Sequence, residues 1–138
     1  HRFLLDDRRA QVLDHLLPWF SLPNDLNPEQ LSHDPSVVQA YLNDPFVART
    51  ITVRLACEIL KNQGYLMKRA GLLQTPALFL HAGADKICSA AATEEFFDKV
   101  PISDKMLKVY DGLYHEIFNE FEKETVFGDI ERWIEKKV

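Results

Sequence analysis

The chain has 138 residues, 46% of them hydrophobic, enough for one packed domain. Its formal charge of −5, with Lys and Arg scattered along the chain, leaves no electrostatic footprint for nucleic acid. No apolar run reaches the roughly 18 residues of a membrane-spanning helix, and the first residues lack the apolar segment of a signal peptide.

The two cysteines, Cys57 and Cys88, form neither a CxxC pair nor a disulfide framework, so a reducing, cytoplasmic setting is the expectation. His1 is an unusual first residue and reads as a tag remnant or a truncation point. Residues 1–74 read as helices only. Asn27-Pro28, Asp34-Pro35 and Asp44-Pro45 each set an Asx side chain before a proline. The Asx oxygen can accept a free backbone N–H, and proline at the first helical position has none to leave unbonded. Three helices are predicted to start there, the first with Gln30 completing a capping box. The third carries Val47, Ile51, Leu55 and Ile59 at four-residue spacing, with charged residues between them. Gly64 and Gly71 then punctuate a further helical stretch.

After Gln74 the pattern becomes α/β. Thr75 to His81 is a nearly continuous apolar run opened by proline, the signature of a strand buried on both faces. A helix is predicted from Ser89 to Val100, and a strand near a sheet edge from Met106 to Tyr110, stopped by Asp111-Gly112. Asn119 and Glu122 resemble a capping box for a last helix with a buried stripe of Val126, Ile130, Ile134 and Val138. Strand, crossover helix, strand, helix makes a parallel unit.

In open parallel sheets the chemistry lies beyond the carboxyl ends of the strands. Gly83-Ala84-Asp85 and Leu113-Tyr114-His115-Glu116 both arrive there. A carboxylate beside an imidazole can accept the Nδ1 proton, fix the tautomer and stabilise the imidazolium formed when Nε2 takes a proton. Each residue alone is weak evidence, since Asp after Gly-Ala is commonly a turn residue and a lone His is commonly structural. The order Asp then His is that expected late in an α/β-hydrolase chain. On pattern alone the structural and the functional readings both remain open.

The stretches "TPALFLHAGAD" (Thr75 to Asp85) and "KMLKVYDGLYHEIFNE" (Lys105 to Glu120) closely resemble the end of the monoacylglycerol-lipase and lysophospholipase-like branch of the α/β-hydrolases. "LPNDLNPEQLSHDPSVVQAYLNDPFV" (Leu22 to Val47) resembles the cap that these enzymes insert before their last two strands. The resemblance runs from about Leu16 to Val138. It implies an α/β fold, specifically the C-terminal part of an α/β-hydrolase. Residues 1–74 would be a helical cap, or lid, and residues 75–138 the C-terminal part of the core. It further implies that Asp85 is the triad acid, that His115 is the triad base, and that the cap lines an apolar channel for an acyl chain.

One departure is large. The family's nucleophile is a serine in a G-x-S-x-G elbow, and none of the serines at 21, 32, 36, 89 and 103 has glycines two residues to either side. The chain alone is therefore expected to be inactive, because a base and an acid need a nucleophile to activate. Within the resemblance, the expected parent is a serine hydrolase of monoacylglycerol or lysophospholipid esters working through an acyl-serine. No cofactor or metal is expected. The expected partners are a small lipid-like ester, no nucleic acid, a membrane surface met peripherally through the cap, and either a missing N-terminal half or a second copy. Alternatives are a capped hydrolase of other chemistry (aminopeptidase, epoxide hydrolase or dehalogenase) and a non-catalytic folding piece.

A metal site of His15, His33, Asp34 and His81 is set aside, because Asp34 is explained as a cap and no zinc spacing is present. His81 is expected to end a strand with its ring hydrogen-bonded locally. Cys88 would lie at the site mouth, either as a reactive thiol or, preferably, as a small buried hydrophobe. The apolar cluster Leu13, Leu16, Leu17, Trp19, Phe20 and Leu22 could face lipid as a lid does, or pack against the third cap helix. Glu116 is read as a solvated or loop-anchoring charge.

Overall fold

A computed structural model describes the chain from Asp7 to Val138, with side chains from Val12 onward, so His1 lies outside the described residues. The described residues fall into two compact units interleaved in sequence. Residues up to Leu26 together with Pro45–Arg69 form one, and Asn27–Asp44 together with Ala70–Val138 form the other.

The first unit is built from α1 (Asp7–Leu16), β1 (Ser21–Pro23), β2 (Thr50–Thr52) and α3 (Val53–Arg69). The helices-only expectation for residues 1–74 is thus corrected: β1 and β2 pair antiparallel, Leu22 opposite Ile51. The helix expected at Asp44-Pro45 starts later, at Val53. Asp44 has the same extended backbone (φ −73°, ψ 116°) as the helix-starting Asp34, but it closes the preceding helix instead of starting one. Thr50-Ile51-Thr52 is β-branched throughout and suits a strand, and Thr52 Oγ1 then accepts the Leu55 N–H at 3.2 Å as a helix cap. Gly64 lies inside α3 and does not interrupt it. Leu13 packs on buried Val53 and Cys57. Beside them the mostly buried Asp14 carboxylate is paired with Arg54 Nε at 2.6 Å and Lys61 Nζ at 3.4 Å, as a charge withdrawn from water requires.

The second unit carries a 3₁₀ turn (Pro28–Gln30), α2 (Pro35–Asn43), a second 3₁₀ turn (Ala70–Leu72), β3 (Ala77–Ala82), α4 (Ala90–Lys99), β4 (Lys105–Tyr110) and α5 (Lys123–Glu135). Asn27 and Asp34 cap their turns through side-chain oxygens that accept the Glu29 and Ser36 N–H groups at 3.1 and 2.8 Å. β3 and β4 are parallel neighbours in the register Ala77–Lys105 to Ala82–Tyr110. Between them runs α4, capped by Ser89, which accepts the Ala92 N–H at 3.3 Å. Lys105 Nζ satisfies the other end, donating to the Val100 carbonyl at 2.6 Å. Phe79 of β3 meets Phe96 and Phe97 of α4 at ring distances of 6.0 and 5.6 Å.

The core of this unit is Ala82, Tyr110, Leu113, Ile117 and Val126, with Leu80 and Ile130 against it. α5 is tied to β4 by Asp129, which accepts from Lys108, Arg132 and the Tyr110 hydroxyl, the last at 3.0 Å. The Lys108 ammonium holds the Asp129 carboxyl down at about 2, while burial and then Asp129 push the Tyr110 phenol up to about 12.

Three details differ from the sequence reading. β3 is half-buried along Ala77–His81 and fully buried only at Ala82, because among the described residues β4 is its only strand partner. The α5 stripe is buried at Val126 and packed at Ile130, but Ile134 and Val138 are exposed beyond the end of the core. The Asn119–Glu122 capping box does not form: Glu122 makes no side-chain cap bond, and Asn119 donates to Glu116 at 2.7 Å.

Candidate active site

Both strands of the parallel pair end at the same level, and backbone bonds stitch the loops that follow them. Gly83 N–H donates to the Tyr110 carbonyl at 2.7 Å, and Ala84 N–H to the Leu113 carbonyl at 3.0 Å. Asp111-Gly112 turns the second loop back, with Gly112 at φ +81°, a conformation that glycine adopts without strain. The stitching delivers Asp85 and His115 to one place. Asp85 Oδ2 lies 2.8 Å from His115 Nδ1.

The Asp85 carboxylate is almost wholly buried, at 3% exposure, whereas the His115 side chain is 34% exposed. A buried carboxylate needs donors on both oxygens. Oδ1 accepts the N–H groups of Ile87 and Cys88 at 2.7 and 2.8 Å, and Oδ2 accepts from His115. Burial pushes the Asp85 carboxyl up, but the His115 hydrogen bond and the two backbone N–H groups outweigh it, so the group is held below the usual carboxylate range. An ionised Asp85 makes Nδ1 the protonated nitrogen of His115. Nε2 is then the ring atom available to take a proton.

His81 sits on β3 with Nδ1 2.9 Å from Thr93 Oγ1, a local bond of the expected kind. Its buried Nε2 has no hydrogen-bond partner and lies 3.6 Å from Asp85 Oδ2. Glu116 anchors its loop by accepting from Asn119.

Cys88 is exposed, contrary to the buried-hydrophobe reading. The Asp85 turn places it at the loop surface, where partial desolvation by the neighbouring loop and then the charge of Asp85 push the thiol up, away from thiolate. Asp85, Cys88 and His115 bring ligand-type atoms within 4.8 Å of one another. Both Asp85 oxygens are already occupied by protein N–H groups, so the arrangement serves a hydrogen-bonded pair better than a cation.

The chain matches the family model described as "Serine aminopeptidase, S33" over residues 5–122. It belongs to that family of α/β-hydrolases.

Among relatives, it is 36% identical to a monoacylglycerol lipase of Mycolicibacterium smegmatis, covering 91% of this chain and 45% of that protein. It is 35% identical to an uncharacterized abhydrolase-domain protein of Dictyostelium discoideum, covering 94% of this chain and 14% of the relative. The crystal structure of Paleococcus ferrophilus monoacylglycerol lipase superposes with a TM-score of 0.87 at 31% identity, covering 92% of this chain and 50% of that one. The chain therefore spans half or less of the length of these relatives, and its fold is part of an α/β-hydrolase. Among the described residues no helix is long and apolar enough to cross a membrane.

Sequence reasoning missed one site neighbour. Glu120, five residues after His115, is completely buried and accepts from the backbone of Tyr114, the residue before His115, and bonds to His33. No motif distinguishes this glutamate, because its partners at positions 32 and 33 are remote in sequence.

Proposed function

We propose that this chain supplies the acid and the base of a serine hydrolase that cleaves carboxylic esters of lipid-like substrates, monoacylglycerols or lysophospholipids, through an acyl-serine intermediate. The observation that carries the reading is the 2.8 Å contact of Asp85 Oδ2 with His115 Nδ1 at the ends of adjacent parallel strands. It is supported by membership of a hydrolase family and by relatives named as lipases. His115 Nε2 takes the proton of a serine hydroxyl as its oxygen attacks the ester carbonyl. It then gives that proton to the departing alcohol. Next it takes one from water, whose oxygen attacks the acyl-serine, and returns the proton to the serine as the fatty acid leaves. Asp85 stays ionised throughout and holds the ring.

The serine must come from chain beyond these residues, so the 138 residues alone are inactive in this reading. Trp19 and Phe46, 74% and 94% exposed, are candidates to meet an acyl chain or a membrane surface. The family's name favours a second chemistry, peptide hydrolysis by the same pair of side chains.

The test assays the longer protein that carries this chain against a monoacylglycerol and an aminoacyl amide, in parent and His115→Ala forms. Ester turnover lost by about 10⁴-fold in His115→Ala is expected. Amide turnover without ester turnover would favour the second chemistry, and unchanged ester turnover in His115→Ala would overturn the role of His115.

A further inference from the structure

Glu120 is a carboxylate with 0% side-chain exposure, and such a group persists only if its oxygens are satisfied. Oε1 accepts the Tyr114 N–H at 2.6 Å and faces His33 Nδ1 at 2.9 Å. Oε2 accepts the His33 N–H at 2.9 Å, and the Ser32 hydroxyl lies 3.3 Å from it while also reaching the Asn119 carbonyl at 2.9 Å. Both backbone neighbours donate, His33 Nδ1 donates once it carries the ring proton, and the Ser32 hydroxyl shares its one proton between Oε2 and the Asn119 carbonyl. The same two segments are joined by backbone bonds, His115 N–H to the Gln30 carbonyl at 3.4 Å and Glu116 N–H to the Leu31 carbonyl at 2.8 Å. The His33 ring stacks on Tyr114 at 3.7 Å. The residue immediately before the proposed base is thus clamped on its backbone by one oxygen and on its ring by a partner of that same oxygen.

Resting on the function proposed above, we infer that Glu120 is a positioning residue. Its two acceptor oxygens pin the Tyr114-His115 loop to the turn at Leu31–Asp34 and so hold His115 Nδ1 at bonding distance from Asp85. The carboxylate form is essential to this role. Each oxygen receives at least one backbone N–H, so a Gln side chain in either orientation turns an NH₂ group toward a donor. An isosteric change therefore breaks the clamp without altering the volume of the core. Asp keeps both acceptors on a shorter stem.

The test uses the longer, hydrolytically competent protein and compares Glu120→Gln, Glu120→Asp, His33→Phe and the control His115→Ala on a short soluble ester. Displacing a catalytic group by about 1 Å can cost on the order of 10²-fold in rate. The expected result for Glu120→Gln is a fall in kcat of about that size with KM little changed. The acid limb of kcat/KM moves to lower pH, because a loosened Asp85 contact stabilises the imidazolium less. Glu120→Asp recovers part of kcat and part of the limb shift. If Glu120→Gln fails to fold, His33→Phe decides. It keeps the stack on Tyr114 but removes one donor, and a several-fold loss of kcat with the same limb shift is expected. Parental kcat and an unmoved limb in a folded Glu120→Gln, or in His33→Phe where Gln does not fold, would overturn the inference if His115→Ala is dead. A His115→Ala protein that still turns over would instead overturn the underlying reading of the site.

Discussion

The α-carbon of Gly83 faces the backbone of Tyr110 so closely that a Cβ there would lie 3.0 Å from the Tyr110 carbonyl oxygen and 3.0 Å from Asp111 Cα. This approach lets the Gly83 N–H reach the same oxygen at 2.7 Å, and it brings the loops of Asp85 and His115 within bonding reach.

The first prediction follows from that contact. Gly83→Ala must push one strand end away from the other, since both obstructing atoms are backbone. Strain of this kind costs about 1–3 kcal/mol. The expected outcome is a lower melting temperature together with a lengthened Asp85–His115 contact, read as a reduced kcat in the longer protein. A variant with parental melting and turnover would show that the strand ends can separate freely.

A second prediction separates the acid from its neighbours. Asp85→Asn turns an amide toward His115 or toward the Ile87 and Cys88 N–H groups and favours the wrong imidazole tautomer, so turnover should fall by roughly 10⁴-fold. Cys88→Ser should change little, because the thiol is exposed and none of the steps above uses it. The check is steady-state kinetics on both variants. A Cys88→Ser protein as impaired as Asp85→Asn would place the thiol in the mechanism.

Much of this site was legible because its logic is local. A carboxylate and an imidazole just past two predicted parallel strands have few other places to go, and the caps at Asn27, Asp34 and Ser89 advertise themselves by residue type. The β1–β2 ribbon was hidden because Ile51 belongs equally to a four-residue helical spacing and to a three-residue β-branched run, and only pairing with Leu22 decides between them. Glu120 was hidden for a different reason. A glutamate in a charged loop reads as solvated until a partner 87 residues away is folded against it.

The third prediction concerns pH. Folding holds Asp85 and Glu120 below the usual carboxylate range, in each case because hydrogen bonds outweigh the upward push of burial. A group depressed on folding contributes stability that is present above its unfolded value, roughly pH 4, and lost as pH falls through the folded one. The melting-temperature gap between the parent and Asp85→Asn should therefore be widest near neutrality and shrink below about pH 4. The Glu120→Gln gap should do the same. Thermal melts across pH 7 to 3 check this, and a gap that widens on acidification would reverse the assigned sign.

The last prediction concerns the 138 residues by themselves. Parallel strands are stable when both faces are covered and their edges are paired or protected. Among the described residues β3 pairs only with β4, and Leu78, Phe79 and Leu80 are partly rather than fully buried although the run is written for a central strand. On β4, Met106 is exposed, as is Leu72 just before β3. Covering an apolar side chain is worth about 1.5–3 kcal/mol, and a domain's whole stability is roughly 5–15 kcal/mol. Each such side chain left in water thus forgoes a sizeable part of that margin. The isolated chain should self-associate or melt without cooperativity until its β3 edge is covered by further chain, a second copy or a swapped strand. Sedimentation velocity and thermal melting of the purified 138 residues test this. A dilute monomer with a sharp, cooperative transition would show instead that the packing of α4 and α5 on two strands is sufficient by itself.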